Sequence, residues 1–159
     1  MPTPARTSVD EIVAAGRSIL DAEGLDGLTM QGVASLVGVR APSLYKRVRS
    51  RDDLVRLIAN DVALELTGIV ETAASSGDPR TDLRAIAGAF RAWAVAHPEA
   101  YTLLFARLPE RARVDPDVNA RASEALLRTA ARVVRPPPAV NINARICRER
   151  RVVSRTCQV

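Results

Sequence analysis

Between Leu28 and Ile58 the sequence LTMQGVASLVGVRAPSLYKRVRSRDDLVRLI leaves the backbone few paths. Thr29 stands where an N-cap belongs, and Val33, Ala34 and Val37 follow at helical spacing, which predicts a helix of about two turns. Gly38 lies just past it, where a residue of positive φ closes a helix, and Val39 is the apolar contact that accompanies such a cap. Pro42 has no N–H to donate and suits only a helix's first turn, so a second helix is expected to start near Arg40 or Ala41 and run to Val48. Its inner face is one i,i+4 pair, Leu44 and Val48. Arg40, Ala41, Ser43, Tyr45, Lys46 and Arg47 are left facing outward. Two short helices around a tight turn, the second thinly anchored, form a unit that displays side chains.

The outward set is basic. Arg40, Lys46, Arg47, Arg49 and Arg51 fall between positions 40 and 51 with no acidic residue among them. Phosphate is the matching partner: arginine and lysine can neutralise the DNA backbone, which sets register, while Arg40, Ala41, Pro42 and Ser43 at the helix start would lie nearest base edges. The net charge of +5 does not carry this argument. Residues 1–133 hold 17 basic and 17 acidic side chains, whereas 134–159 hold six arginines against Glu149.

The run GLTMQGVASLVGVRAPSLYKRVRSRDDLVRLIA resembles the helix-turn-helix of the tetracycline-repressor (TetR) family of bacterial regulators. Gly38-Val39, Ser43-Leu44-Tyr45 and the basic Arg51 before the next helix carry the resemblance, which extends over about Val9 to Ile58. It implies an all-α chain in which a three-helix DNA-binding head, residues 1–50, is joined by a linking helix to a helical ligand-binding and dimerising body, residues 51–134. It also implies that Tyr45 contacts the DNA backbone and that Gln31 reaches a base or phosphate from the preceding helix. Arg51 joins Lys46 and Arg47 as a phosphate contact. The partners implied are double-stranded operator DNA, a small apolar effector and a second copy of the chain. A repressor is the expected role, with the linking helix swinging to transmit effector occupancy.

The flanking sequence reads as helix. Ser8 three residues before Glu11 is a capping box, and the helix it opens carries Ile12, Ala15, Ile19 and Ala22 before Gly24 ends it. Ser50 caps a further helix with Asp52 and Asp53 in its first turn and Leu54, Leu57, Ile58, Val62 and Leu66 on its buried side. A helix over about 80–96, with Leu83, Ile86, Ala87, Phe90 and Ala94, is expected to be central in the body. His97-Pro98 interrupts it and begins a short helix with Tyr101, Leu104 and Phe105. After a loop over 109–115, Asp115-Pro116 is expected to cap a last helix carrying Val118, Ala122, Ala125, Leu126 and Ala130. No strand pattern appears.

Four of the five aromatic residues, Phe90, Trp93, Tyr101 and Phe105, lie within sixteen positions together with the only histidine, His97. By the resemblance these five would line an effector pocket. Aromatics at helical spacing equally suit a core, and His97 suits a helix end bonded to backbone; both readings stand at this level.

Other classes find no support. One histidine and two cysteines confined to the last thirteen residues offer no nucleophile, metal or redox constellation, so neither an enzyme nor a cofactor is expected. No stretch approaches the ~20 apolar residues of a membrane span, and the N-terminus lacks a signal-peptide pattern, which makes the cytoplasm the expected location. From residue 135 the composition changes abruptly to a triple proline, both cysteines and six arginines. A truncated or frame-shifted end is expected there, or else a natural basic tail, without stable fold, that adds non-specific DNA affinity. The rival function is a helical ligand-binding or protein-interaction module that has lost selective DNA binding; a DNA-compacting protein acting through its tail is a third.

Overall fold

The computed structural model describes residues 7–134, and the basic tail expected over 135–159 lies outside the described residues. Within them the chain is helical, without strands. Helix α1 spans Val9–Gly27, α2 Met30–Leu36, α3 Ala41–Leu44, α4 Arg51–Ala73, α5 Pro79–Ala96, α6 Pro98–Phe105 and α7 Pro116–Val134, with a single 3₁₀ turn at Glu110–Ala112.

Local chemistry sets the helix starts. The Ser8 hydroxyl accepts from the Glu11 N–H at 3.1 Å while the Glu11 carboxylate accepts from the Ser8 N–H at 3.0 Å, the reciprocal box expected from the sequence. Thr29 accepts from Gly32, Ser50 from Asp53 and Asp78 from Thr81 in the same way. Gly24, where α1 was expected to stop, is a kink with φ 72°, and one further turn reaches Gly27.

Helix α4 occupies the centre, not α5 as the sequence suggests. It buries Leu54, Ile58 and Val62 and, beside them, Val55, Ala59 and Ala63, which widen the stripe to about half of the helix surface. It therefore packs against α1, α5, α6, α7 and the 3₁₀ turn. Helix α5 buries only Asp82, Ile86 and Trp93, and Ala87, expected inside, is exposed. The reason is size: alanine-rich α5 has little side-chain volume to fill a central space. The α1–α4 approach is close because Gly16 faces Ile58; a Cβ on Gly16 would lie 2.6 Å from the Ile58 Cδ1. One apolar cluster runs from Ile12 and Leu20 through Leu44, Val48, Leu54 and Ile58 to Trp93 and Leu103. Each fully buried aliphatic side chain in it contributes about 1.5–3 kcal/mol.

Helix α2 ends on a left-handed glycine. Gly38 has φ 72°, its N–H donates to the Ser35 carbonyl at 3.2 Å, and the Val39 N–H donates to the Ala34 carbonyl at 2.9 Å. Nothing lies within 4 Å of a Cβ built on Gly38, so any penalty there is conformational. Gly38→Ala is expected to lower stability by about 1–2 kcal/mol, and Gly38→Val by more, in urea unfolding followed by circular dichroism.

Candidate nucleic-acid interface

The second helix of the unit is shorter than its sequence suggests. Helix α3 has four residues, and the chain then makes a turn in which the Arg47 and Val48 N–H groups both donate to the Leu44 carbonyl, at 2.9 and 3.0 Å. Arg40 provides no side-chain cap, and so short a segment has little helical stability of its own. Burial holds it instead: Leu44 is 1% exposed and Val48 fully buried, the pair expected to anchor it.

That anchoring turns the rest outward. Arg40, Pro42, Ser43, Tyr45, Lys46 and Arg47 are exposed, Tyr45 at 52%, with Ala41 half-buried and Gln31 exposed on α2. Eight of the nine residues proposed for DNA contact thus lie on the α2–α3 unit. Arg51 differs. Its Nε donates to the Leu28 carbonyl at 2.8 Å and a terminal guanidinium nitrogen to the Leu25 carbonyl at 2.5 Å. It ties the α1–α2 connection to the start of α4, giving the Leu28 carbonyl a donor and the Leu25 carbonyl a second one beside the Leu28 N–H. No spacing rule signals this bond, because its acceptors are backbone atoms more than twenty residues away.

Two charged networks fasten α4 to its neighbours. Arg56 donates to Asp53 and to Asp115, each at 2.7 Å; Asn60 donates to the same Asp115 oxygen and accepts from its N–H. The Asp115 carboxylate, expected to cap α7, thus reaches back to α4. Hydrogen bonds to Asp53 and then Asp115 hold Arg56 above the ordinary arginine value. Burial pushes Asp53 up, but its bonds to Arg56 and to the Arg49 N–H outweigh this and hold it below the usual carboxylate value. Along the helix, Glu65 accepts from Arg17 of α1 at 2.7 Å and from the Trp93 indole N–H of α5 at 2.9 Å. Arg17 also bonds Asp61 at 3.3 Å. Only the Asp53–Arg56 spacing was visible in sequence as an i,i+3 pair.

The five aromatic-segment residues meet as a ladder between α5 and α6. Phe90 stands edge-on to Tyr101 with centroids 6.1 Å apart, Tyr101 lies 4.8 Å from Phe105, and Trp93 lies 6.5 Å from Phe90 and 5.7 Å from His97. His97 sits at the shared end of α5 and α6; its N–H donates to Trp93 and its carbonyl accepts from Tyr101. A cleft of about 190 Å³ opens elsewhere, among α4, α6 and α7, walled by Leu66, Val70, Leu104, Phe105 and Leu126. Of the five, Phe105 alone borders it. Periodicity could not separate these sites, since it does not show which side of α6 faces α7.

An all-helical molecule with a basic helix-turn-helix at its N-terminal end, continuous through one long helix with a helical body, is the class that this geometry defines. Residues 12–58 match the sequence model of the bacterial regulatory proteins of the tetR family, and residues 83–151 match the tetracyclin repressor-like C-terminal domain. The chain belongs to the TetR family of bacterial transcriptional regulators. The second match continues past Val134, so the family pattern does not stop where the composition changes. An uncharacterised helix-turn-helix regulator of Mycobacterium tuberculosis is 36% identical over 107 residues, 67% of this chain and 48% of that protein. The class E tetracycline repressor protein of Escherichia coli is 33% identical over 58 residues, 36% of this chain and 28% of its own. A protein from Rhodococcus sp. RHA1 shares the fold, with a TM-score of 0.69 at 24% identity over 82% of this chain and 71% of that one. The chain spans about half the length of the first curated relatives it matches.

Arg51→Ala is expected to lower head stability by about 1–2 kcal/mol in urea unfolding, with Arg51→Lys recovering only part, because an ammonium cannot span both carbonyls in the same fork. Glu65 sets a pH dependence. Burial raises its value, yet hydrogen bonds from Arg17 and Trp93, with the charges of Arg17 and His97, hold it below the ordinary 4.5. The unfolded chain therefore binds the proton more readily, and this contribution is present above pH 4.5 and lost as pH falls through the lower folded value. Glu65→Gln is expected to flatten the decline in the urea midpoint between about pH 5 and pH 3.

Proposed function

We propose that this chain is a repressor that binds double-stranded operator DNA through the α2–α3 unit and releases it when a small, largely apolar effector enters the body. The observation that carries the reading is the outward set Arg40, Pro42, Ser43, Tyr45, Lys46 and Arg47 held on a segment pinned by buried Leu44 and Val48. Lys46, Arg47 and Tyr45 serve phosphates, and Arg40, Ala41, Pro42 and Ser43, with Gln31 beside them, lie at the base edges. Arg51 supports the contact by fixing the head against α4. Residues 1–50 act as the head and 51–134 as the body, with α4 common to both. One head offers few base contacts, so selectivity requires a homodimer that places two heads on a palindrome. Work in the cytoplasm follows from a DNA partner, and no described helix is long and apolar enough to cross a membrane.

Helix α4 connects effector to DNA. Leu66 and Val70 wall the cleft near its C-terminal end, Arg51 clamps the head at its start, and Asp115 and Glu65 hold it between. A ligand that parts α4 from α7 would strain those bonds and tilt the helix.

Fluorescence anisotropy on DNA from the chain's own upstream region, titrated over a range of salt, tests the proposal. Arg47→Ala or Lys46→Ala is expected to weaken binding to every sequence and reduce the salt slope by about one. Arg40→Ala or Ser43→Ala is expected to change the preferred sequence, at about 1–3 kcal/mol per lost base contact. Binding indifferent to sequence in the unaltered chain would favour instead a helical interaction module that has lost operator selectivity.

A further inference from the structure

The apolar cleft does not end at a wall. Leu104, Val114 and Asn119 line it and also line a second hollow of about 520 Å³ over the 3₁₀ turn, so the two are adjoining compartments. The inner compartment is mainly aliphatic and aromatic, with Ser123 and Asn119 of α7 as its other polar groups, and its Thr67 hydroxyl is already spent on the Ala63 carbonyl at 2.7 Å. The outer one carries Arg107 and Arg113 among Leu103, Leu108 and Val114, and among the described residues no carboxylate lines either compartment. Ion pairs among the described residues go to Arg17, Arg56, Arg128 and Arg132 instead. Asp115, the acidic group next in sequence, is held away by Arg56 and Asn60. Arg113 donates its Nε to the Leu108 carbonyl at 3.1 Å, which orients the guanidinium at the mouth.

We infer that the effector is an anionic amphiphile, with an apolar chain in the cleft among α4, α6 and α7 and a single carboxylate-like group at Arg107 and Arg113. The inference rests on the effector reading above and narrows its ligand class. Two guanidinium groups without a counter-ion among the described residues, at the rim of an apolar slot, match one head group and one tail: the head gains charge-assisted hydrogen bonds that a neutral head forgoes, and the tail leaves water. The ligand is fixed at two ends, on α6 with its following turn and on α7 with α4.

Isothermal titration calorimetry on the full chain with sodium octanoate and, separately, 1-octanol, both below their aggregation concentrations, tests this. Octanoate is expected to bind about tenfold or more tightly than octanol. Arg107→Gln, at an exposed position that makes no side-chain bond among the described residues, should bring octanoate down to the octanol level while octanol is unchanged; Arg113→Gln should do the same if circular dichroism shows it folded. Leu126→Trp, filling the cleft from a half-exposed position, should remove both. Equal affinities in the unaltered chain, or an octanoate preference that survives Arg107→Gln, would overturn the inference and leave an apolar effector site standing. Binding of neither ligand would overturn the inference and the placing of the effector in this cleft together.

Discussion

Burial of α4 along one broad stripe is the constraint from which the other elements take their places. Leu54 and Ile58 meet α1 at Gly16, which permits the approach, while Ala63 and Val70 line the cleft shared with α6 and α7. A helix buried so fully cannot move alone. Any displacement must be shared with α1 on one side and with α5, α6 or α7 on the other, since close-packed interiors repack as a whole rather than stretch. Head and body are therefore mechanically joined although the head's helices are short.

Polar contacts make that joint specific. Apolar packing tolerates sliding, whereas the Arg17–Glu65–Trp93 and Arg56–Asp115–Asn60 contacts are satisfied only in one register. The first ties α4 to α1 and α5; the second ties it to the start of α7. Both are half-exposed, so each adds modest stability, and their value lies in defining one arrangement of α4 from which a bound ligand can shift it. Arg51 does the same for the head by gripping the carbonyls of Leu25 and Leu28.

Much of the head was legible because its signals are local. The capping box at Ser8–Glu11, the Thr29 and Ser50 caps, the Gly38-Val39 closure and the Leu44–Val48 anchor all depend on residues within five positions of one another, and each forms as its side-chain chemistry requires. The α3 segment departs from its expected length because nothing local extends it: no cap at Arg40 and one buried pair leave a turn to finish what a helix would have. The body was less legible. Periodicity marked α5 as central, but its alanines lack the volume that α4 offers, and the aromatic cluster could be read as core or as pocket because sequence order cannot show that its rings lie against one another while a cleft opens beyond Phe105.

The sequence by itself determined that this chain is all-helical, where most of its helices begin, that Arg40 to Arg47 would be presented outward, and which family it resembles. These follow from backbone hydrogen-bond demands and side-chain spacing that operate over a single turn. Only the tertiary structure decided that α4 is the spine, that Arg51 serves the fold, and that a slot bordered by Arg107 and Arg113 lies among α4, α6 and α7. Those outcomes depend on which helix faces meet and on bonds spanning from twenty to nearly sixty residues, and such pairings are selected by the packing of the whole chain rather than by any segment of it.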